Sequence, residues 1–522
     1  MPFDFSTDLN LTLVGYGALV PGALLLVAAM CALFADRLPG RKQPNKLSAG
    51  IGFVAALLAA ATSALIEPGT QLFDGRFAYT LDARFAAILI CVLSALWCLW
   101  TLGSGVGRTR EATALVMLAT IGGVLAVAST DIITLILVIE LASMPSYVLI
   151  GYRRYRVRGL EAALKYFLLS VMSTLIMIYG LSFLVGLAGG TTFEALQHNL
   201  AYTPLAFVAF GLVILGIFAK LSVAPFHWWA PDAYEGSEPW TLAFVSVIPK
   251  VAISLVMLRL VYTVSAHLPL LSMLVVLMAI LSLVIGSFAA LKKNDIRRMM
   301  AYSGIVNGGY VLIALTVIAE RGAYTADAFH AAIFFILSYA LATMGVLLIA
   351  AHEGGKVSDL NGLSQRNPFM AWSLAILVFS MIGVPPLIGF FAKLNLLLVA
   401  VAAGHLMLAV LAVIVAVVSA FYYLRLLRAA FFAEVTVQDG ELSELDEVSE
   451  SNDEGEVESA VKAEVEIETR VETKTLSAVE RADITEKSPY SAASDLAIAC
   501  IVLAVVIMGI FYQPIMNFLT VG

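Results

Sequence analysis

Long apolar runs, recurring with only short breaks over most of the chain, constrain this sequence more than any other feature in it. A helix crossing a bilayer needs about 20 predominantly apolar residues, because the hydrocarbon core is about 30 Å thick and a helix rises about 1.5 Å per residue. With 61% hydrophobic residues, 13% charged ones and a mean hydropathy of +0.93 over 522 residues, a water-soluble globule is excluded. No stretch is left for a soluble domain of ordinary size. Windows bounded by polar breaks predict helices at about 12–35, 48–66, 83–102, 111–129, 131–151, 160–187, 203–224, 240–262, 268–291, 296–318, 328–351, 368–398, 402–430 and 492–518. The expected fold class is an all-α integral membrane protein of about 14 transmembrane helices.

Orientation follows from the basic loops, which tend to stay cytoplasmic. Arg37, Arg41, Lys42 and Lys46 follow the first expected span, Arg108 and Arg110 the third, Arg153, Arg154, Arg156 and Arg158 the fifth, and Lys292, Lys293, Arg297 and Arg298 the ninth. All are odd-numbered exits, so both termini are expected on the non-cytoplasmic side. The net charge of −7 comes from one stretch, 432–490, rich in Glu, Asp and Ser and lacking an apolar run. It reads as a disordered acidic insertion on the cytoplasmic side. Met1 to Asn10 carries acids where a cleavable signal would be basic. Cys31, Cys91, Cys98 and Cys500 lie in apolar runs without metal-ligand spacing and read as packing residues.

The chain also resembles itself. Phe218-Ala219-Lys220-Leu221 recurs as Phe391-Ala392-Lys393-Leu394, Tyr166 to Ser170 is echoed by Phe334 to Ser338, and Leu258-Arg259-Leu260 returns as Leu424-Arg425-Leu426. The offsets are similar and the order is kept, as a duplication would leave them. Each unit holds five spans, and an odd number inverts the second copy in the membrane. The expected division is a three-helix segment over 1–110, a first five-helix repeat over 111–262, a second over 263–431, the insertion over 432–490 and a last helix within 491–522. Inverted repeats with interrupted helices mark transport pathways near the bilayer midplane. Breaks are expected in spans 7 and 12, at Ser222 to Pro225 and at Gly383-Val384-Pro385-Pro386 with Gly389, since Pro and Gly loosen hydrogen bonds that lipid cannot replace.

Ionisable groups inside spans cost at least about 2.5–3.5 kcal/mol each on insertion scales. Glu140, Lys220, Lys250 and Lys393 lie in such positions, with Lys165, Arg259 and Arg425 nearer helix ends where snorkelling explains them equally well. Lysine, with an ordinary value of about 10.4, carries protons once desolvation favours its neutral form, and a nearby carboxylate opposes that. A Glu140–Lys220 pair of variable separation would therefore switch the lysine between loading and release. His227 follows Lys220 by seven residues, about two helical turns, and histidine suits a relay, although packing beside Trp228 and Trp229 explains it equally well. No Rossmann fingerprint, P-loop, Cys/His cluster or catalytic triad is present, so neither a redox centre nor a cofactor or metal site is expected in this chain.

These residues carry a resemblance. Val138-Ile139-Glu140-Leu141, Glu161 to Phe167, Lys220 to Trp228 with Ala230 to Gly236, and Asp295 to Ser303 are similar to the antiporter-like membrane subunits shared by proton-pumping NADH-quinone oxidoreductase, respiratory complex I, and the multisubunit sodium/proton antiporters. The span count, Lys393 in place of Glu and the lack of a long lateral helix after the last span make it most similar to the N branch of that family. The resemblance implies proton movement through Glu140, Lys220, Lys250 and Lys393; Lys165 and His227 are further candidates for proton translocation on their own chemistry. It also implies a bacterial inner-membrane location, other antiporter-like and quinone-site subunits as partners, and NADH, FMN, iron–sulfur clusters and quinone held by those other subunits. A subunit of a cation/proton antiporter is the alternative. Asn307 stands where the family often has His, and Asn cannot titrate; the acidic insertion is a second departure.

Overall fold

Every expected span contains helix, and the interruptions determine how the interior is built. The computed structural model describes residues 17–35, 44–104, 110–152, 157–201, 203–265, 271–433 and 492–520. All but the first two residues of the expected insertion lie outside these, as do both chain ends and Arg37, Arg41, Lys42, Arg108, Arg153, Arg154 and Arg156. The helices are α1 (Val20–Leu33), α2 (Pro44–Leu65), α3 (Leu81–Ser104), α4 (Arg110–Ala128), α5 (Ile132–Ile150), α6 (Val157–Ala188), α7 (Phe193–Asn199), α8 (Pro204–Leu221), α9 (Trp229–Gly236), α10 (Pro239–Val245), α11 (Ile248–Ser265), α12 (Leu271–Ala290), α13 (Ile296–Glu320), α14 (Thr325–Glu353), α15 (Leu363–Arg366), α16 (Pro368–Ile382), α17 (Ile388–Ala402), α18 (Leu406–Phe432), α19 (Ala492–Ile510) and α20 (Tyr512–Thr520).

Among the described residues twelve crossings are long and apolar enough to span a bilayer, α10 and α11 together counting as one, and α1, α16 and α17 are shorter apolar helices. The expected seventh span stops at Leu221 and helix resumes at Trp229; the expected twelfth is two helices, α16 and α17, separated by residues 383–387. A third interruption, at Ser246 and Val247, was not expected. Its cause is Pro249, which has no N–H to give to the carbonyl of Val245 four residues back. The chain is also not purely helical: Thr70–Leu72 (β1) and Phe77–Tyr79 (β2) pair antiparallel. Phe73, Asp74 and Gly75 turn the hairpin with positive φ, a geometry that an Asp-Gly pair favours.

One main-chain pattern occurs twice. Ile132 N–H donates to Thr191 O (2.9 Å) and Phe193 N–H to Thr130 O (2.8 Å); 164 residues on, Ile296 N–H donates to Gly355 O (2.8 Å) and Val357 N–H to Asn294 O (2.9 Å). In both places an aspartate, Asp131 or Asp295, caps the helix that follows by accepting backbone N–H groups. Arg259 on α11 donates to the carbonyl of Val127 at the end of α4, and Arg425 on α18 donates to that of Leu291 just past α12 (2.6 Å). The tetrapeptide match runs at 173 residues rather than 164, so Lys220 and Lys393 do not occupy equivalent positions: the first precedes its break and the second follows it.

The crossing formed by α10 and α11, together with α13 and α14, makes up the interior, while α6, α18 and α19 keep an open apolar side for lipid or neighbours. Small residues let backbones meet at the crossings that position charge. A Cβ on Gly216 of α8 would lie 2.7 Å from Ser173 O on α6, and one on Gly389 of α17 would lie 1.8 Å from Ser380 O on α16.

Candidate functional site

Lys220 is in the last turn of α8, where carbonyls lack intrahelical donors and a cation is favoured. Ser222, with φ of 61°, ends that helix in the left-handed region. The Lys220 side chain is 2% exposed, and its Nζ donates to Glu140 Oε1 at 2.8 Å and to Ser170 Oγ at 3.1 Å. Glu140 Oε1 also accepts from Thr174 Oγ1 at 2.5 Å, and Ser170 Oγ is 2.5 Å from Tyr147 OH. The close contact of α6 with α8 thus brings a serine and a threonine, one turn apart on α6, against the ion pair. The pair expected from sequence is formed, and Glu140 keeps an 18% exposed side chain at the edge of the bundle.

Lys250 follows the unexpected break, in the first turn of α11. Its Nζ donates to Ser222 Oγ at 3.2 Å and lies 5.3 Å from the Tyr234 ring and 6.0 Å from that of Trp229. Cation–π attraction and one hydroxyl replace a counter-ion, and among the described residues no carboxylate pairs with it. A cavity of about 50 Å³ adjoins it, its wall mostly apolar, with Val247, Val251 and Phe335, and its polar groups those of Ser246, Ser254, Asn307 and Tyr339.

Lys393 lies within α17 but points back across the break. Its Nζ donates to Met381 O (2.7 Å) and Ile382 O (3.1 Å), the last carbonyls of α16, and is 5.3 Å from the Tyr310 ring. It therefore caps the negative end of a half-helix. Gly383, with φ of 96°, ends α16, and a Cβ there would sit 3.5 Å from Lys393 Cδ.

The remaining sequence candidates lie apart from this string. Lys165 is 45% exposed and pairs with Glu161 (2.7 Å) and Asp232 (3.3 Å), and Asp232 also accepts from Arg298 (3.3 Å), whose other nitrogen meets Glu235 (2.5 Å). That ladder ties α6 to α13 through α9. His227 is not two helical turns from Lys220, because residues 222–228 are not helical; it stacks on the exposed Trp228 at 5.4 Å, and its buried Nδ1 has no partner among the described residues. Sequence reasoning missed Ser170, Thr174, Ser222 and Tyr310. Hydroxyl residues one turn apart inside otherwise apolar helices were the available signal.

Residues 129–419 match the family described as "NADH:quinone oxidoreductase/Mrp antiporter, TM", and the chain belongs to that family. Within it, the similarity is to subunit N: the chain is 35% identical to "NADH-quinone oxidoreductase subunit N 1" of Acidiphilium cryptum, over 79% of this chain and 88% of that one. It is also 35% identical to the protein of the same name from Rhizobium meliloti, over 80% and 88%. Among solved structures, a chain of respiratory complex I from Thermus thermophilus with bound aureothin superposes with a TM-score of 0.74 at 25% identity, covering 95% of this chain and 98% of that one. A chain of the Mrp complex from Dietzia sp. DQ12-45-1b shares the fold, with a TM-score of 0.76 at 20% identity over 98% of this chain and 96% of that one.

Proposed function

We propose that this chain is the N subunit of a proton-translocating NADH-quinone oxidoreductase and moves protons while electrons move elsewhere in the assembly. The observation that carries the reading is the Glu140–Lys220 pair, 2.8 Å apart, in series with Lys250 and Lys393. Burying two ions costs several kcal/mol each, and apolar residues of similar volume often serve stability as well or better. Retention of four such groups therefore favours a conducting role over a scaffold. Closed, the pair keeps a proton on Lys220; opened, it leaves an ammonium in apolar surroundings, ready to pass its proton toward Ser222 and Lys250. Lys165 and His227 act at the margin of the path.

NADH, FMN, the iron–sulfur clusters and quinone belong to the other subunits, and this chain contributes charge movement, not electron transfer. Its partners are neighbouring antiporter-like and quinone-site membrane subunits, its location the bacterial inner membrane, with both termini on the non-cytoplasmic side. The pattern repeated at 164 residues supports two inverted five-helix units. The family description, which spans NADH:quinone oxidoreductase and Mrp antiporters, supports one second reading, a cation/proton antiporter subunit.

Lys393→Ala in the assembled complex, reconstituted in vesicles, tests the first reading. NADH-quinone electron transfer and proton uptake, measured side by side, should both fall. Wild-type values for both would remove Lys393 from the mechanism, and proton movement driven by a sodium gradient without NADH would favour the second reading.

A further inference from the structure

Between the cavity beside Lys250 and the ammonium of Lys393 stands α13, and from Met299 to Ala319 it carries no Asp, Glu, Lys, Arg or His. It presents Ser303, Asn307 and Tyr310 instead, spaced i, i+4 and i+7 on one face. Gly304, Asn307 and Gly308 line the cavity, while the Tyr310 ring lies against Lys393. Asn307 belongs to both sides. A Cβ on Gly304 would come within 3.5 Å of Lys250 Nζ and 3.4 Å of Tyr339 OH, so the two face each other across a glycine.

The hydrogen bonds along this face are connected. Ser303 Oγ is 2.5 Å from Tyr423 OH on α18, and Asn307 Nδ2 donates to Ser303 O (2.8 Å) and Oγ (3.3 Å). With one lone pair of Ser303 Oγ taken by the amide, the hydroxyl keeps its hydrogen and a second lone pair, so the Ser303–Tyr423 bond can run in either direction. Farther along the same seam between α13 and α18, Tyr310 OH donates to Ala412 O at 2.7 Å.

We infer that the Ser303–Tyr423 hydroxyl pair, held by Asn307, passes protons between the Lys250 cavity and Lys393; the inference rests on the proton-translocating role proposed above. A proton delivered to Ser303 Oγ from the cavity side, where Tyr339 reaches it, is matched by loss of that hydroxyl's own hydrogen to Tyr423 OH. Tyr423 in turn releases its original hydrogen to water on the side of α13 where the Tyr310 ring meets Lys393, which takes the proton from that water. At each oxygen one O–H bond forms and one breaks, no electrons move, and both groups end neutral; rotation of the hydroxyls restores the starting arrangement. Asn307 is a positioning residue, which explains how a group that cannot titrate occupies a position on a proton path.

The test compares two neighbouring tyrosines in the assembled complex in vesicles. Tyr423→Phe and Ser303→Ala each remove one hydroxyl and should lower the rate of NADH-driven proton uptake by at least about tenfold, with electron transfer falling alongside, a modest share of what positioned proton-transfer groups contribute. Tyr422→Phe makes the same change one residue away, at a hydroxyl that faces Ser419 and Tyr423 and not Ser303, and should stay near wild type. Asn307→His should add a dependence of proton uptake on pH near the ordinary histidine range of about 6.5. Wild-type uptake in both Tyr423→Phe and Ser303→Ala overturns the relay, as does an equal loss in Tyr422→Phe and Tyr423→Phe, which would make the effect one of packing. Lys393→Ala separates the two levels. Impaired Lys393→Ala beside intact Tyr423→Phe removes the relay alone, whereas wild-type uptake in Lys393→Ala removes the translocation role beneath it.

Discussion

Lys220 ends one half-helix with a carboxylate 2.8 Å away, while Lys393 lies inside another and rests on two carbonyl oxygens from across a break. A carboxylate bears a full charge that can be withdrawn by moving a side chain. The carbonyls belong to the end of α16 and cannot be withdrawn without moving the helix. The first half of the protein therefore holds its lysine with a switchable partner and the second with a constant one. Conduction in one direction benefits from such an asymmetry, because only one of the two sites needs to change state.

Glu140→Gln attacks that difference most directly, since it keeps the size and a hydrogen-bond acceptor but removes the charge. Proton uptake in reconstituted vesicles should fall by at least about tenfold and its pH dependence should change. An unchanged profile would show that Lys220 works as Lys393 does, with dipoles alone. The backbone contacts behind the two lysines should differ next. Gly389→Ala forces a methyl to 1.8 Å from Ser380 O, and Gly216→Ala forces one to 2.7 Å from Ser173 O. Expected losses are about 3 and about 1 kcal/mol, read by thermal unfolding in detergent, and equal losses would mean the second break relaxes as easily as an intact crossing.

The helix caps give the smallest effect. Asp131→Ala and Asp295→Ala should each cost about 1 kcal/mol, with Asp295 the larger because it also binds the Arg297 guanidinium at 2.6 Å. Hydrogen exchange in the first turns of α5 and α13 would rank them. Burial works to raise the Asp131 carboxyl, but hydrogen bonds from Thr191 and Thr134 and the charge of Arg76 outweigh it, leaving it below its ordinary 3.8. A depressed carboxyl stabilises the fold above that ordinary value and loses its contribution as pH falls through the lowered one. Protection of α5 should therefore persist under mild acid and fade only below about pH 4.

The spans were legible because hydrocarbon sets their length whatever packs beside them. Glu140, Lys220, Lys250 and Lys393 were legible because each is costly where it sits. The breaks at 222–228 and 383–387 were announced by Pro and Gly, whereas that at Ser246 and Val247 was not: its proline, Pro249, lies three residues on and reads as an ordinary helix start. Lys165 looked like the others in sequence, yet its neighbours Glu161 and Asp232 meet it at the surface. Short matches misled the register, since Phe, Ala and Leu recur by chance in apolar helices; the 164-residue spacing lives in peptide groups and leaves little trace in side chains. Ser303, Asn307 and Tyr310 were readable as a helical face but not as a connection, because Tyr423 reaches them from 120 residues away.

Trp228 stands 75% exposed at the bend between α8 and α9, with His227 stacked behind it. Indole rings settle at the level of lipid headgroups, where an apolar body and a polar N–H are both accommodated. Turned outward where α8 has ended, this ring gives the bend an apolar outer face that either lipid or a neighbouring subunit can cover.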